Sequence, residues 1–211
     1  MTRHLPTGRF GAVFADPPWP YATYSAKGKG RSAEAHYDTM AIEDIAALPV
    51  ALWAVPDWAL FLWVTKPQLV HALAILTIWG FTNKTVGFTW IKTIGGKGEP
   101  GLLDAAPLRF AFGLGHWTRA NPEMCLLATR GKPHRLNADV PELIVAPRSE
   151  HSRKPDDILE RIERLVAGPY LELFASSVAP HREGWTRWIG RDRAAARRWK
   201  SDSYPGAEAA R

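Results

Sequence analysis

A single cysteine, Cys125, stands among the 211 residues, which excludes an internal disulfide framework and a thiolate-built zinc site. Its apolar setting, from Glu123 to Thr129, reads as that of a buried thiol. No run reaches eighteen uncharged apolar residues, and the opening MTRHLPTGRF has no apolar stretch. Neither a membrane span nor a secretory leader is expected, and a cytoplasmic protein is. No repeat recurs at periods of roughly 20 to 50 residues, so solenoids and propellers are excluded. His36, His116 and His151 make no ligand constellation, and no metal is assigned. Acidic residues are the short side of the charge balance, 21 against 27 basic, and the net charge of +6 permits a polyanionic partner.

What the chain has in excess is tryptophan, ten in all, and flat rings serve both cores and base stacking. Otherwise the composition, 46% hydrophobic and 23% charged, is that of one globular domain. Strand-like apolar runs recur at Phe10 to Ala15, Trp58 to Thr65, Thr85 to Lys92, Met124 to Thr129, Leu143 to Ala146 and Tyr170 to Ala175. Helical patterns lie between some of them, over Ala41 to Leu52, Pro67 to Trp79 and Pro155 to Val166. The alternation predicts an α/β fold with a mostly parallel sheet that holds its ligands at the carboxyl edge. Tyr21 to His36 and Thr93 to Trp117 lack periodicity and read as mobile functional loops.

Chemistry concentrates at Asp16, Pro17, Pro18 and Trp19, directly after FGAVFA. A residue before proline is held extended, so Asp16 continues the strand to the sheet edge, and the two prolines stiffen the turn. A carboxylate, a rigid carbonyl and an indole face are presented together. That set suits a planar amine such as the amino group of adenine, whose lone pair is delocalised into the ring. If Asp16 and the Pro17 carbonyl accept its two hydrogens, the nitrogen can aim its lone pair at an electrophilic methyl while Trp19 stacks the base. Chance alone yields DPPW in roughly one chain of a few thousand.

From Phe10 to Gly190 the chain resembles the MT-A70-like family of adenine methyltransferases. The likeness rests on ordered blocks: ADPPW (Ala15 to Trp19), HYDTM (His36 to Met40), LFLWVT (Leu60 to Thr65) and WIK (Trp90 to Lys92). It continues in GHW with a later glutamate (Gly115 to Glu123), HSRKPDD (His151 to Asp157) and LELFA (Leu171 to Ala175). It implies a Rossmann-like, S-adenosylmethionine-dependent methyltransferase fold in which the catalytic strand precedes the cofactor strand. The absence of an early glycine-rich loop is then no obstacle. The resemblance implies that Asp16, Pro17, Pro18 and Trp19 are catalytic, with Asp16 also toward the cofactor. Tyr37, Trp63 and Trp90 line the base pocket; Ser152 and Lys154 hold the methionine end of the cofactor; Glu172 and Phe174 lie beneath it. From the residues alone, Trp63 and Trp90 suit a core equally well, and Lys154 suits a solvated helix start. The chain departs from the family at Ala175-Ser176-Ser177 and at Trp188 to Asp192.

The function implied is methyl transfer to the amino group of adenine in nucleic acid, DNA ahead of RNA because no zinc finger or RNA-recognition motif is present. The rivals are a noncatalytic nucleic-acid-binding or scaffold subunit, since the family includes degenerate partners, and an amino-methyltransferase of another base. Retention of all four DPPW residues speaks for the enzyme. A homodimer or a partner subunit is compatible with either reading. Residues 1–190 are taken as the methyltransferase domain and 191–211 as a basic, partly disordered tail. There Arg193, Arg197 and Lys200 would share a helix face toward phosphates.

Overall fold

The run FGAVFA forms strand β1, Phe10–Ala15, and the rest of the sheet is built around it. The computed structural model describes residues 5–20, 39–94, 109–113, 115, 117–148, 153–175 and 181–190. Among these, α1 (Ile42–Ala46) leads to β2 (Ala54–Val64), α2 (Leu69–Ile78), β3 (Thr82–Thr93) and β4 (Glu123–Arg130). Then come β5 (Leu143–Pro147), α3 (Asp157–Leu165), β6 (Tyr170–Leu173) and β7 (Trp185–Trp188). The seven strands form one sheet in the order β5-β3-β4-β2-β1-β6-β7. Four pairings are parallel, and only β4 runs against its neighbours β2 and β3. The fold is the α/β methyltransferase fold, with a mostly parallel sheet and few helices.

Side chains alternate across the sheet with the period of two that a pleated strand imposes. Val13, Leu60, Leu62, Leu126 and Leu171 pack on one face against Ile45, Ala72, Ile75 and Leu76 of α1 and α2. Ala12, Phe14, Phe61, Phe88 and Cys125 pack on the other against Ile158 and Ile162 of α3. Arg161 ties α3 to the sheet, its Nη1 donating to the carbonyls of Pro141 (2.8 Å) and Leu143 (2.9 Å). At Gly11 the approach to β6 is so close that a Cβ would lie 2.7 Å from the Ala167 carbonyl oxygen, which leaves no room for any other residue.

Three expectations need correction. The pattern from Ala41 to Leu52 is broken at Pro49, giving α1 and a separate 3₁₀ turn, Val50–Trp53. Strand β6 stops at Leu173 instead of Ala175, because Phe174 takes the left-handed conformation, with φ of 62°, and leaves the pleat. The stretch read as a loop to Trp117 is partly paired: Phe110 bridges Thr93, and Gly113 bridges Ala120. The tail residues Arg193, Arg197 and Lys200 lie outside the described residues, as do Tyr37 and Ser152. No described helix is long and apolar enough to cross a membrane.

Candidate active site

Because β1 is parallel to β2 and β6, their carboxyl ends meet at one edge, and Asp16 sits there with its amide 3.4 Å from the Leu173 carbonyl. The turn after it is fixed from three sides. The Trp19 amide donates to the Pro17 carbonyl (2.8 Å), the Met40 amide to that of Pro18 (2.9 Å), and the Trp19 indole to that of Trp63 (2.9 Å). Trp19 is buried in the cluster against α1 and α2. The sequence reading sets its ring beside the base; in the structure the ring is packed inside and its indole N–H anchors the turn.

Lysine 154, in the segment leading to α3, brings its ammonium to 2.8 Å from Asp16 Oδ2 with a side chain only 12% exposed, so it is not a solvated surface charge. It also lies 3.8 Å from Glu123 Oε2 and 5.4 Å from the centre of the Trp63 ring. Glu123 in turn accepts a charged hydrogen bond from Lys92 and one of 2.6 Å from the Trp63 indole. Asp16, Lys154, Glu123 and Lys92 thus form a chain of two carboxylates and two ammoniums, neutral in sum. Burial by itself would raise the Glu123 pKa, but the charges of Lys154 and Lys92 and the bonds from Lys92 and Trp63 outweigh it and hold the group below its ordinary range.

Trp63 and Trp90 both reach this edge, 6.4 Å apart between ring centres, yet both are almost wholly buried. Each spends its indole N–H inside the protein, Trp63 on Glu123 and Trp90 on the Ala146 carbonyl (3.0 Å). They form the floor beneath the charged chain, with Lys92 5.0 Å above the Trp90 ring. Glu172 shares this face of the sheet, opposite Phe14, and pairs with Arg187 of β7 at 3.0 Å. Phe174 does not share it. The left-handed turn sends its ring to the opposite cluster, where it packs 5.6 Å from Trp188. Burial, joined by the negative charge of Asp16, raises the Glu172 pKa against the charge and hydrogen bond of Arg187, and the net direction is upward.

Lys92, Glu123, Asn121 and Arg187 went unassigned from sequence. Asn121 accepts from the Lys92 amide (3.2 Å) and donates to the carbonyls of Lys92 and Ala111 (2.8 Å each), fixing Lys92 where Glu123 begins. Lys92 and Glu123 were present as letters in WIK and in the glutamate after GHW, which was the available signal. A groove of about 330 Å³ lined by Asp57, Lys132, His134 and Gly168 lies at the opposite, amino-terminal edge of β1 and is unconnected with this chemistry.

An acceptor and a cation in contact, on an aromatic floor at the carboxyl edge of a parallel sheet, make a site for a small zwitterion beside a planar ring. The MT-A70 family model matches residues 10–191. Similar proteins include the type II methyltransferase M.MunI of Mycoplasma sp., 27% identical over 87% of this chain and 78% of that protein. The MT-A70-like N(6)-adenosine-methyltransferase of Arabidopsis thaliana is 32% identical over 84% of this chain, and the human N(6)-adenosine-methyltransferase catalytic subunit METTL3 is 30% identical over 79%. The chain spans about a quarter of the length of those two, 23% and 26%.

Proposed function

From the premise that this chain belongs to the MT-A70 family, we propose that it transfers a methyl group from S-adenosylmethionine to the exocyclic amine of adenine in nucleic acid. The observation that carries this is the Asp16–Lys154 contact at the end of β1. The amino-acid end of the cofactor is a zwitterion, and a carboxylate and an ammonium 2.8 Å apart are the complementary pair, so the residues present fit it. Lys154 would take its carboxylate and Asp16 its ammonium. When bound, the cofactor supplies an electrophilic methyl on a sulfonium.

The chain's own residues supply the rest. The Asp16 carboxylate accepts one hydrogen of the amine and withdraws positive charge from the nitrogen as the lone pair turns out of the ring. The Pro17 carbonyl already accepts the Trp19 amide and has a second lone pair for the other hydrogen. Trp63 and Trp90, held rigid by their indole bonds, form the dry floor of the site. An adenine in a duplex must be flipped out to reach Asp16. DNA is favoured because a relative that matches along most of both chains is a type II methyltransferase.

The test is mass spectrometry of nucleosides from DNA and RNA incubated with protein and cofactor. Methylated adenine is expected with the wild type. With Asp16→Ala the rate should fall at least about a hundredfold, the loss of an acceptor worth roughly 3 kcal/mol in the transition state. A variant keeping more than a tenth of the wild-type rate overturns the role of Asp16.

A further inference from the structure

Beyond Thr93 the chain returns at Arg109 as a two-stranded extension of the active edge. Ile94 donates to the Arg109 carbonyl (2.7 Å), Ala111 to that of Lys92 (2.8 Å), and Gly113 to that of Ala120 (2.6 Å). Its tip needs glycine, since a Cβ on Gly115 would lie 2.1 Å from the Thr118 carbonyl oxygen. Within it Ala111 faces the protein, while Phe110 and Phe112, on the alternate face, are 42% and 55% exposed with ring centres 6.5 Å apart. Trp117 is fully exposed and is held at φ of 64°, a conformation bulky residues rarely take. No packing within the protein rewards that conformation among the described residues. Three large aromatic rings therefore project into solvent from an element stapled to Lys92 by Asn121, two residues from Glu123.

The charge on this element is one-sided. Residues 109–120 include Arg109 and Arg119 and no aspartate or glutamate. Exposed rings interleaved with guanidinium groups match a nucleic-acid strand, whose bases have flat faces and whose linkers are anionic. Resting on the methyltransferase reading above, we infer that Phe110, Phe112 and Trp117 are a stacking platform for unpaired bases that flank the target base. Arg109 and Arg119 meet the intervening phosphates. A paired base has both faces covered by its neighbours, so this platform selects strands that are single or locally opened.

The experiment measures the affinity of the full chain for a single-stranded twelve-nucleotide probe with one adenine, as DNA and as RNA, by fluorescence anisotropy. Trp117→Ala should weaken binding about fivefold or more, the size of one lost base stack. Trp117→Phe should restore most of it, and both variants should keep the wild-type unfolding midpoint. A probe whose flanking positions are abasic should bind wild type and Trp117→Ala equally. Equal affinity of wild type and Trp117→Ala for the intact probe overturns the platform. So does a change of sedimentation state with unchanged probe binding, which would assign the rings to a protein contact. Methylation of the same adenine by the wild type is followed in parallel. Methylation with unaltered Trp117→Ala binding removes the platform and keeps the reaction; lost binding without any wild-type methylation does the reverse.

Discussion

Two glutamates on the same face of the sheet, on either side of Asp16, titrate in opposite directions. Glu123 at the start of β4 is held below its ordinary range and Glu172 in β6 is pushed above it. Both are largely withdrawn from water, with side chains 23% and 13% exposed, so burial does not separate them. Their neighbours do. Glu123 has two ammoniums and an indole N–H, whereas Glu172 has one guanidinium and sits within the field of the Asp16 carboxylate. The difference shows how one face holds a site and a support side by side. Glu123 has a second ammonium, Lys92, so Lys154 can turn to a ligand without leaving it unpaired, while Glu172 in β6 depends on Arg187.

The largest expected effect comes from breaking the poorer pair. Arg187→Met leaves Glu172 as a nearly buried lone carboxylate and should cost about 3 to 5 kcal/mol of stability at neutral pH. Arg187→Met combined with Glu172→Gln should recover most of the loss. Denaturant unfolding of the three proteins checks this, and a double variant as unstable as the single one would refute it.

Removing one cation from the richer site should be felt in binding. Lys154→Ala should weaken S-adenosylmethionine by about tenfold or more, the loss of a charge-assisted contact worth roughly 1.5 to 3 kcal/mol. Its fold should persist, because Lys92 still neutralises Glu123. Calorimetry decides, and an unchanged dissociation constant would remove Lys154 from the cofactor site.

The pH dependence sharpens the contrast further. A depressed carboxyl contributes stability that is present above its unfolded pKa and lost as pH falls through the folded value, so Glu123 should act on the acid side of the ordinary glutamate range. For Glu172 the sign reverses, and stability should decline as pH rises from the ordinary value through the raised one. Carbon NMR titration of the two carboxyl groups should find them displaced to opposite sides of the ordinary glutamate value of 4.5. Titration on the same side would end the comparison. The smallest effect belongs to a half-exposed control: Glu163 pairs with Arg182, and Glu163→Gln should change stability by under about 1 kcal/mol in the same unfolding assay.

Much of this architecture could be read from residues, and the failures have definite causes. FGAVFA gave β1 with its observed bounds, because an apolar run closed by Asp-Pro-Pro has only one place to stop. β7 escaped notice, since WTRW is four residues long and half polar, and Arg187 went with it. Hydrophobic pattern carries no strand direction. That β4 alone is antiparallel therefore had to come from the structure, and with it the fact that the first residue of β4, not the last, arrives at the active edge. Glu123 was missed for this reason, and Lys92, near the carboxyl end of β3, was missed with the carboxylate it pairs with. Asp16 and Lys154 stand out in the sequence because the motifs that contain them are complete, although only the fold shows that the two side chains touch. Trp19, Trp63 and Trp90 belong to the edge as expected, but their role as packed supports follows from where each indole N–H is bound.

The position of β1 has a consequence for synthesis. Its two neighbours are β2 and β6, and in the second pairing Ala12 meets Tyr170 across 157 intervening residues. At roughly 5 to 20 residues per second a ribosome needs about 8 to 30 seconds to cover that interval. Throughout it the strand that leads into Asp16 has one unpaired apolar edge, the kind of edge that recruits other nascent chains. The turn at Asp16 is therefore among the last parts to be assembled, and Asp16 can take its place only after Leu173 has left the ribosome.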